Sequence, residues 1–192
     1  MESNALKENQ SSHVCPHQIA FMLDNPFRRL FQNPKKILKP YIADGSTAMD
    51  IGCGPGFFTI DMAKLVGPEG KVIAVDLQEK MLSHVRKKAK KHNVEDRIQF
   101  FKCEQDRIGY KQKADFILAL YMVHETPSPR NLLEEMKAMI NENGKIFIAE
   151  PKMHVSKEMF EDLISLTKEV GFKILDYPKK MGGRSVLIGI KD

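Results

Sequence analysis

The sequence lacks any apolar run near the roughly 20 residues that a membrane helix needs. Residues 1–12 are polar and do not contain the apolar stretch of a secretion signal. Only three cysteines occur, Cys15, Cys53 and Cys103, and they form no CxxC pair. So small and odd a set argues against a disulfide framework and shows no metal-binding spacing. We therefore expect a cytoplasmic protein that does not enter membranes, and we predict no metal site.

We expect no second domain, because 192 residues suit a single α/β domain. Hydrophobic residues make up 42% of the chain and charged residues 29%, as in ordinary globular proteins. We predict an N-terminal segment at 1–24 that is partly disordered, followed by a single domain at 25–192.

The charge balance is positive, with a net charge of +5 and a pI of about 9.0. Much of the excess lies in the run RKKAKK at 86–91, on the polar side of a predicted helix. A solvated helix face explains such a run better than a nucleic-acid partner does, although the second interpretation stays open.

Strand-like and helix-like segments alternate along the chain. Asn25-Pro26 and Asn33-Pro34 each place a capping side chain before a proline, which predicts two short helices. This alternation predicts a mainly parallel sheet with helices on both faces, and the last two strands form an antiparallel pair at one edge. The predicted strands are 48–51, 72–75, 98–102, 115–120, 145–149, 172–176 and 186–190, and the later helices are 57–66, 78–92, 131–140 and 156–170.

A glycine-rich loop, DIGCGPG at 50–56, lies where the first predicted strand ends and a helix begins. Ligands bind at that edge of an open α/β sheet. The pattern is GxGxG, because Phe57 stands where a dinucleotide loop has its third glycine, and no GK[ST] ending follows. Asp50 would repel a pyrophosphate but attract an α-ammonium group.

A second carboxylate, Asp76, follows 26 residues later at the end of the next strand. A carboxylate there can accept hydrogen bonds from both hydroxyls of a ribose. A ligand with an amino-acid end and a ribose, bound without phosphates, is S-adenosylmethionine (SAM).

The segments AMDIGCGPGFFTI, KVIAVDLQEKML, ADFILALYMVHE and GKIFIAEP, in this order and spacing, resemble class I SAM-dependent methyltransferases over about residues 25–190. The resemblance is strongest to the small-molecule branch that includes quinone-biosynthesis and arsenite methyltransferases. It implies a Rossmann-like, doubly wound sheet of seven strands, with N-terminal helices that cover the substrate side.

The resemblance also implies roles for individual residues. Asp76 would hold the ribose, and Ala119 and Tyr121 would lie near the sulfonium and the substrate. Cys103 and Glu104 occupy the usual adenine position, although the family often has an aspartate there. The residues implied around the rest of the cofactor are Asp50, Gly52, Cys53, Gly54 and Gly56 at the methionine end, with Cys53 packing inside the loop, and Leu77 and Met81 against the adenosine.

Two polar clusters should face the transferred methyl group, His124-Glu125 after the fourth strand and Glu150 with His154 after the fifth. We hypothesise that His124 or His154 deprotonates or orients the acceptor. The alternative is that His124 caps its strand and His154 is solvated. Phe27 and Phe31, together with Tyr121, are candidates for an apolar acceptor pocket or for ordinary core packing.

The nature of the acceptor follows from further absences. The chain has no [DN]PP[YF] run and no cysteine nucleophile after the fourth strand, which disfavours nucleic-acid acceptors. We expect a small-molecule acceptor. Methylation of RNA or protein, and a SAM-binding subunit without activity of its own, remain alternatives.

Overall fold

A computed structural model describes residues 32–179 and 182–191. Its seven-stranded sheet has the order β3-β2-β1-β4-β5-β7-β6, and β1 to β5 are parallel to one another. The predicted fold is therefore confirmed. The strands are β1 (Thr47–Ile51), β2 (Lys71–Asp76), β3 (Ile98–Lys102), β4 (Ala114–Leu120), β5 (Ile140–Glu150), β6 (Phe172–Asp176) and β7 (Arg184–Ile190).

The last two strands form the predicted antiparallel pair. β7 runs antiparallel to both β5 and β6, so β6 is the outer strand of this edge. The described residues between β6 and β7 are not helical, and so short a connection can only reverse the chain direction.

Three of the described helices begin directly after a residue whose side chain accepts a hydrogen bond from a free amide of the first turn. Asn33 accepts from the amide of Lys36 at 3.2 Å, and Ser128 and Ser156 cap two later helices in the same way. The helices are α1 (Pro34–Leu38), α2 (Thr59–Leu65), α3 (Glu79–Lys91), α4 (Pro129–Met139) and α5 (Lys157–Val170).

The core consists of two apolar layers, one on each face of the sheet. Alternate β1 residues serve the two layers: Ala48 packs with α2 and α3 residues, and Met49 packs with α4 and α5 residues. Strands buried on both faces read as continuous apolar runs, as FILAL does in β4.

The parallel strands bring their carboxyl ends to one edge of the sheet. Asp50 and Ile51 end β1, Asp76 ends β2, and Glu150 ends β5. Tyr121, directly after β4, has φ +57°, in the left-handed region that few side chains adopt outside turns and functional sites.

Several expectations lie outside the described residues: the segment 1–24, the helix predicted after Asn25, and the pocket residues Phe27 and Phe31. The division into a segment and one domain stays a prediction. Among the helices that the structure does describe, none combines the length and apolar character needed to span a bilayer.

Candidate functional site

A cavity of about 230 Å³ opens at the carboxyl edge of the sheet, above β1, β2 and β4. It extends further than the sequence indicated, since the loop after β3 and the first turns of α4 also form its wall. Most of the residues predicted at the cofactor site line it: Asp50, Gly52, Cys53, Gly54, Asp76, Leu77, Met81, Cys103 and Glu104. Tyr121 and Glu125, predicted on the acceptor side, line it as well.

Two predicted cofactor residues are not among the described residues that line the cavity. Gly56 faces the other way, because a Cβ built on it would meet the side chain of Val85 in α3. Ala119 is fully buried inside the sheet, in register between Ile51 and Ile148.

Asp76 is held in place by backbone amides. Its Oδ1 accepts from the amide of Gln78 at 2.8 Å, and its Oδ2 accepts from the amide of Gly54 at 2.9 Å. The Cys53 thiol, 4.0 Å from Oδ2, is a weak third donor. A carboxylate offers about four lone-pair positions, so Asp76 keeps capacity for donors from the cavity. Burial raises the pKa of Asp76, and the two amide hydrogen bonds oppose that rise.

Asp50 forms the floor of the cavity and is only 3% exposed. The Thr59 hydroxyl, in the first turn of α2, donates to its Oδ2 at 2.6 Å. Burial raises the pKa of Asp50 to about 7; the Thr59 hydrogen bond opposes this rise and the nearby charge of Asp76 adds to it. A cationic group in the cavity would stabilise the ionised carboxylate.

The two described cysteines face the same region but are not activated. Burial, followed by the charges of Asp50 and Asp76, raises the pKa of the Cys53 thiol. Burial, followed by the charge of Asp76, raises the pKa of Cys103 to about 11. Since the thiolate is the reactive form, both side chains fit packing better than nucleophilic chemistry.

Glu135 of α4 is a site residue that sequence reasoning missed. It lines the cavity, and its carboxylate accepts from the amides of Ile108 at 3.0 Å and Gly109 at 2.8 Å. These bonds fasten the loop after β3, whose turn is closed by the Glu104 amide donating to the Arg107 carbonyl at 3.0 Å. The bonds link positions 26 and 27 residues apart, which periodicity does not reveal.

The predicted histidine and glutamate clusters meet in the structure. His124 Nδ1 is hydrogen-bonded to Glu150 Oε2, and the rings of His124 and His154 lie edge to face at 5.6 Å. Glu150 is buried, His124 is partly buried and His154 is exposed. His124 Nε2 lies 3.9 Å from Oε1 of Glu125, which lines the cavity. No set of three or more potential metal ligands is found in the described part of the chain.

The charge of the cavity wall is opposite to that of the whole chain. Six carboxylate side chains line it and, among the described residues, Arg107 is the single lysine or arginine that does. Arg107 is bonded to Glu104, one of the six. The carboxylates belong to Asp50, Asp76, Glu104, Asp106, Glu125 and Glu135.

A family model described as "Methyltransferase domain" matches residues 42–178, which include β1 to β6 and the whole cavity wall. The chain belongs to this methyltransferase family. It is a SAM-dependent methyltransferase, and its cofactor is SAM. The resemblance seen in the four sequence motifs is thereby confirmed.

Curated relatives of this methyltransferase act on different acceptors. It is 28% identical to the demethylmenaquinone methyltransferase of Lactobacillus johnsonii over 182 residues, which are 91% of this chain and 70% of that protein. It is 29% identical to the arsenite methyltransferase of Halobacterium salinarum over 122 residues, 62% of this chain and 30% of that protein. The chain spans less than half of two further demethylmenaquinone methyltransferases, at 48% and 44% of their lengths.

A solved structure supports the same family. The SAM-dependent methyltransferase of Aquifex aeolicus superposes with a TM-score of 0.78 at 26% identity. The match covers 90% of this chain and 96% of that one.

Proposed function

We propose that this methyltransferase transfers the methyl group of SAM to a small, uncharged or cationic acceptor. The observation that carries the proposal is the acidic wall of the cavity, where six carboxylates face one guanidinium that is already paired. Such a wall attracts a sulfonium cofactor and repels phosphates, so it disfavours a nucleic-acid strand at the reacting centre.

We propose that Asp76 holds the ribose of the cofactor. Its two oxygens are oriented by the amides of Gly54 and Gln78 and keep lone pairs for hydroxyl donors. Leu77 and Met81 would supply apolar contact to the adenosine, and Cys103 and Glu104, which also line the cavity, would lie beside the adenine.

At the other end of the cavity, Asp50 would face the ammonium group of the cofactor. Its buried carboxylate is costly to ionise alone, and a cation removes that cost. Gly52 and Gly54 would let the backbone approach the methionine end closely. Gly56 would act indirectly, by allowing the loop to pack on α3.

SAM supplies an electrophilic methyl group on a sulfonium, so the chain itself must mainly align the acceptor for in-line displacement. Tyr121 is suited to this task. Its left-handed backbone turns the chain at the end of β4, and its amide donates to the Ala149 carbonyl at 2.7 Å, which fixes the turn to β5.

The relatives support a small acceptor, since the demethylmenaquinone and arsenite enzymes are named for small molecules. A second candidate function is methylation of RNA or a ribosomal protein. It is favoured by the exposed basic residues of 86–91 on α3 and by 27% identity over 150 residues to a ribosomal protein L11 methyltransferase of Dictyoglomus turgidum.

A screen with methyl-labelled SAM tests the proposal. The panel contains phenols, amines, thiols, arsenite, total RNA and ribosomal protein. Label transfer to a small acceptor, with none to RNA or protein, is the expected result. Transfer confined to RNA or protein would overturn the proposal. Calorimetry with S-adenosylhomocysteine (SAH) verifies in the same preparation that the cofactor site is intact.

A further inference from the structure

Glu150 is a buried carboxylate with both oxygens engaged. The side chain is 1% exposed; Oε1 accepts from the amide of Val123 at 2.9 Å, and Oε2 is bonded to His124 Nδ1. β5 therefore holds the turn after β4 through one carboxylate, and the imidazole cannot rotate without breaking that bond.

The bond also determines which imidazole nitrogen carries the proton. An ionised carboxylate only accepts hydrogen bonds, so Nδ1 must be the protonated nitrogen of the neutral ring. Nε2 then carries the lone pair. A buried carboxylate on Nδ1 and a basic Nε2 is the arrangement in which histidine serves as a general base in hydrolases.

His124 is not among the described residues that line the cavity, but its Nε2 approaches one that does. Nε2 lies 3.9 Å from Oε1 of Glu125, a cavity residue, while His154 covers the ring edge to face. Glu150 and Glu125 would both stabilise a positive charge on the ring. Burial alone would lower the pKa of His124, but the hydrogen bond and charge of Glu150, with the charge of Glu125, outweigh it and raise the pKa.

We propose that His124 Nε2 is the general base that removes the proton of an acceptor hydroxyl, and that Glu150 is the positioning residue that fixes its tautomer. This inference rests on the proposed function and names the acceptor class, a phenolic or enolic hydroxyl. Such a group, with a pKa of about 10 as in tyrosine, is a poor nucleophile until it loses its proton. A thiol or a neutral amine needs a base far less.

The proposed step balances as follows. The acceptor O–H bond breaks and its proton moves to His124 Nε2. An electron pair on the acceptor oxygen forms the new bond to the methyl carbon, while the pair of the breaking C–S bond stays on sulfur. The imidazolium then releases its proton to solvent, so no oxidant or reductant is needed.

The tautomer can be tested without any acceptor. Nitrogen-15 NMR of the protein labelled at histidine should show His124 with its proton on Nδ1. In Glu150→Gln, the amide oxygen can still accept from Val123 while the NH₂ donates to the ring, which moves the ring proton to Nε2. A wild-type His124 with its proton on Nε2 would overturn the proposal, as would a tautomer that Glu150→Gln leaves unchanged.

Kinetics with a series of substituted phenols test the base itself. Glu150→Gln and His124→Ala should each lower kcat about 100-fold or more, with SAH affinity unchanged. The double variant should be no slower than His124→Ala, because the two residues act as a unit. Glu142→Gln, exposed at the other end of β5, is the matched control and should keep full activity.

The pH profile gives a readout that a merely structural pair would not change. Since His124 must be neutral, wild-type kcat should fall as the pH drops through its raised pKa. In Glu150→Gln this limb should move to lower pH, because the interaction that raises the pKa is lost. The inference would be overturned if kcat fell at the same pH in both proteins. It would also be overturned if His124→Ala kept full kcat.

The acceptor panel separates the two proposals. Methylation of amines or thiols but of no hydroxyl would overturn the assignment of His124 as the base, while the proposed transfer to a small molecule would still hold. Methylation of neither class, together with transfer to RNA or protein, would overturn both.

Discussion

The α-carbon of Gly56 lies directly against Val85 of α3: a β-carbon at position 56 would stand 3.0 Å from Val85 Cγ2. Gly56 also has φ +82°, which is strained for any residue with a side chain. Both conditions require glycine at this position. The absence of a side chain lets the glycine-rich loop pack closely against α3.

Gly56→Ala should therefore destabilise the protein by about 3 kcal/mol, since left-handed strain costs about 1–2 kcal/mol and overpacking about 1–3 kcal/mol. Gly54→Ala is the control, because φ is +51° but a β-carbon at position 54 would have no neighbour within 4 Å. It should cost only the strain, about 1 kcal/mol. Urea unfolding measures both, and equal losses would contradict the packing argument. Val85→Ala should reduce the cost of Gly56→Ala in a double-mutant cycle.

Removing the Glu135 carboxylate should loosen the loop after β3. Glu135→Ala leaves the amides of Ile108 and Gly109 without their acceptor, so we expect SAH affinity to fall about tenfold, equivalent to about 1.4 kcal/mol. Hydrogen exchange of the two amides should quicken. Glu134→Ala, exposed on the same helix, is the matched control and should change neither quantity. Unchanged hydrogen exchange of these amides in Glu135→Ala would contradict the proposal that Glu135 holds the loop in place.

Asp76→Asn should weaken SAH binding at least tenfold, because hydrogen bonds to a charged group contribute about 1.5–3 kcal/mol each. The amide has one acceptor oxygen, and its NH₂ would oppose the amide of Gly54 or Gln78. Calorimetry measures the loss, with the exposed Asp162→Asn as control. Wild-type affinity in Asp76→Asn would argue against the ribose contact.

The raised pKa of Asp50 predicts a pH effect on cofactor binding. Near and below its folded pKa of about 7 the carboxyl is protonated and attracts an ammonium group weakly, so SAH affinity should fall as the pH drops through 7. Binding near that pH should release a proton, measurable by calorimetry in buffers of different ionisation enthalpy. Thr59→Val removes the hydrogen bond that lowers the pKa, so it should shift the effect to higher pH. Affinity independent of pH would contradict the assignment.

The same shift affects the stability of the free protein. The folded pKa lies above the ordinary value of 3.8, so the stabilising contribution is complete below 3.8 and is lost as the pH rises toward about 7. SAH should restore stability most at the upper end of this range, which thermal unfolding across pH can measure.

Most of the fold could be predicted because strand and helix periodicities are local. β3 was predicted with the bounds that it has, Ile98–Lys102. α4 begins at Pro129 rather than at residue 131, although Ser128-Pro129 is the same capping signal that marked Asn33-Pro34. α2 begins at Thr59, not at residue 57, because the turn around Gly56 continues beyond it. β5 begins at residue 140, because an irregularity between Ala114 and Phe116 lets the chain pair beside β4 earlier than its apolar run suggests.

The cavity residues were predicted where they lie at strand ends, as Asp50 and Asp76 do. Glu135 was missed because its partners lie in a distant loop. The contact between His124 and Glu150 depends on β4 and β5 being neighbours in register, which the fold implied, but the bond itself depends on side-chain geometry.

The position of Glu150 in the sheet has one more consequence. It pairs in register with Arg184 of β7, whose guanidinium donates to the Val155 carbonyl at 3.1 Å. Asp50 and Asp76 instead sit on β1 and β2, beyond β4 from this border. Local unfolding that starts at the β6–β7 edge would therefore disrupt the contact between Glu150 and His124 before it reaches Asp50 and Asp76. The proposed base would then be lost while the proposed cofactor site remained.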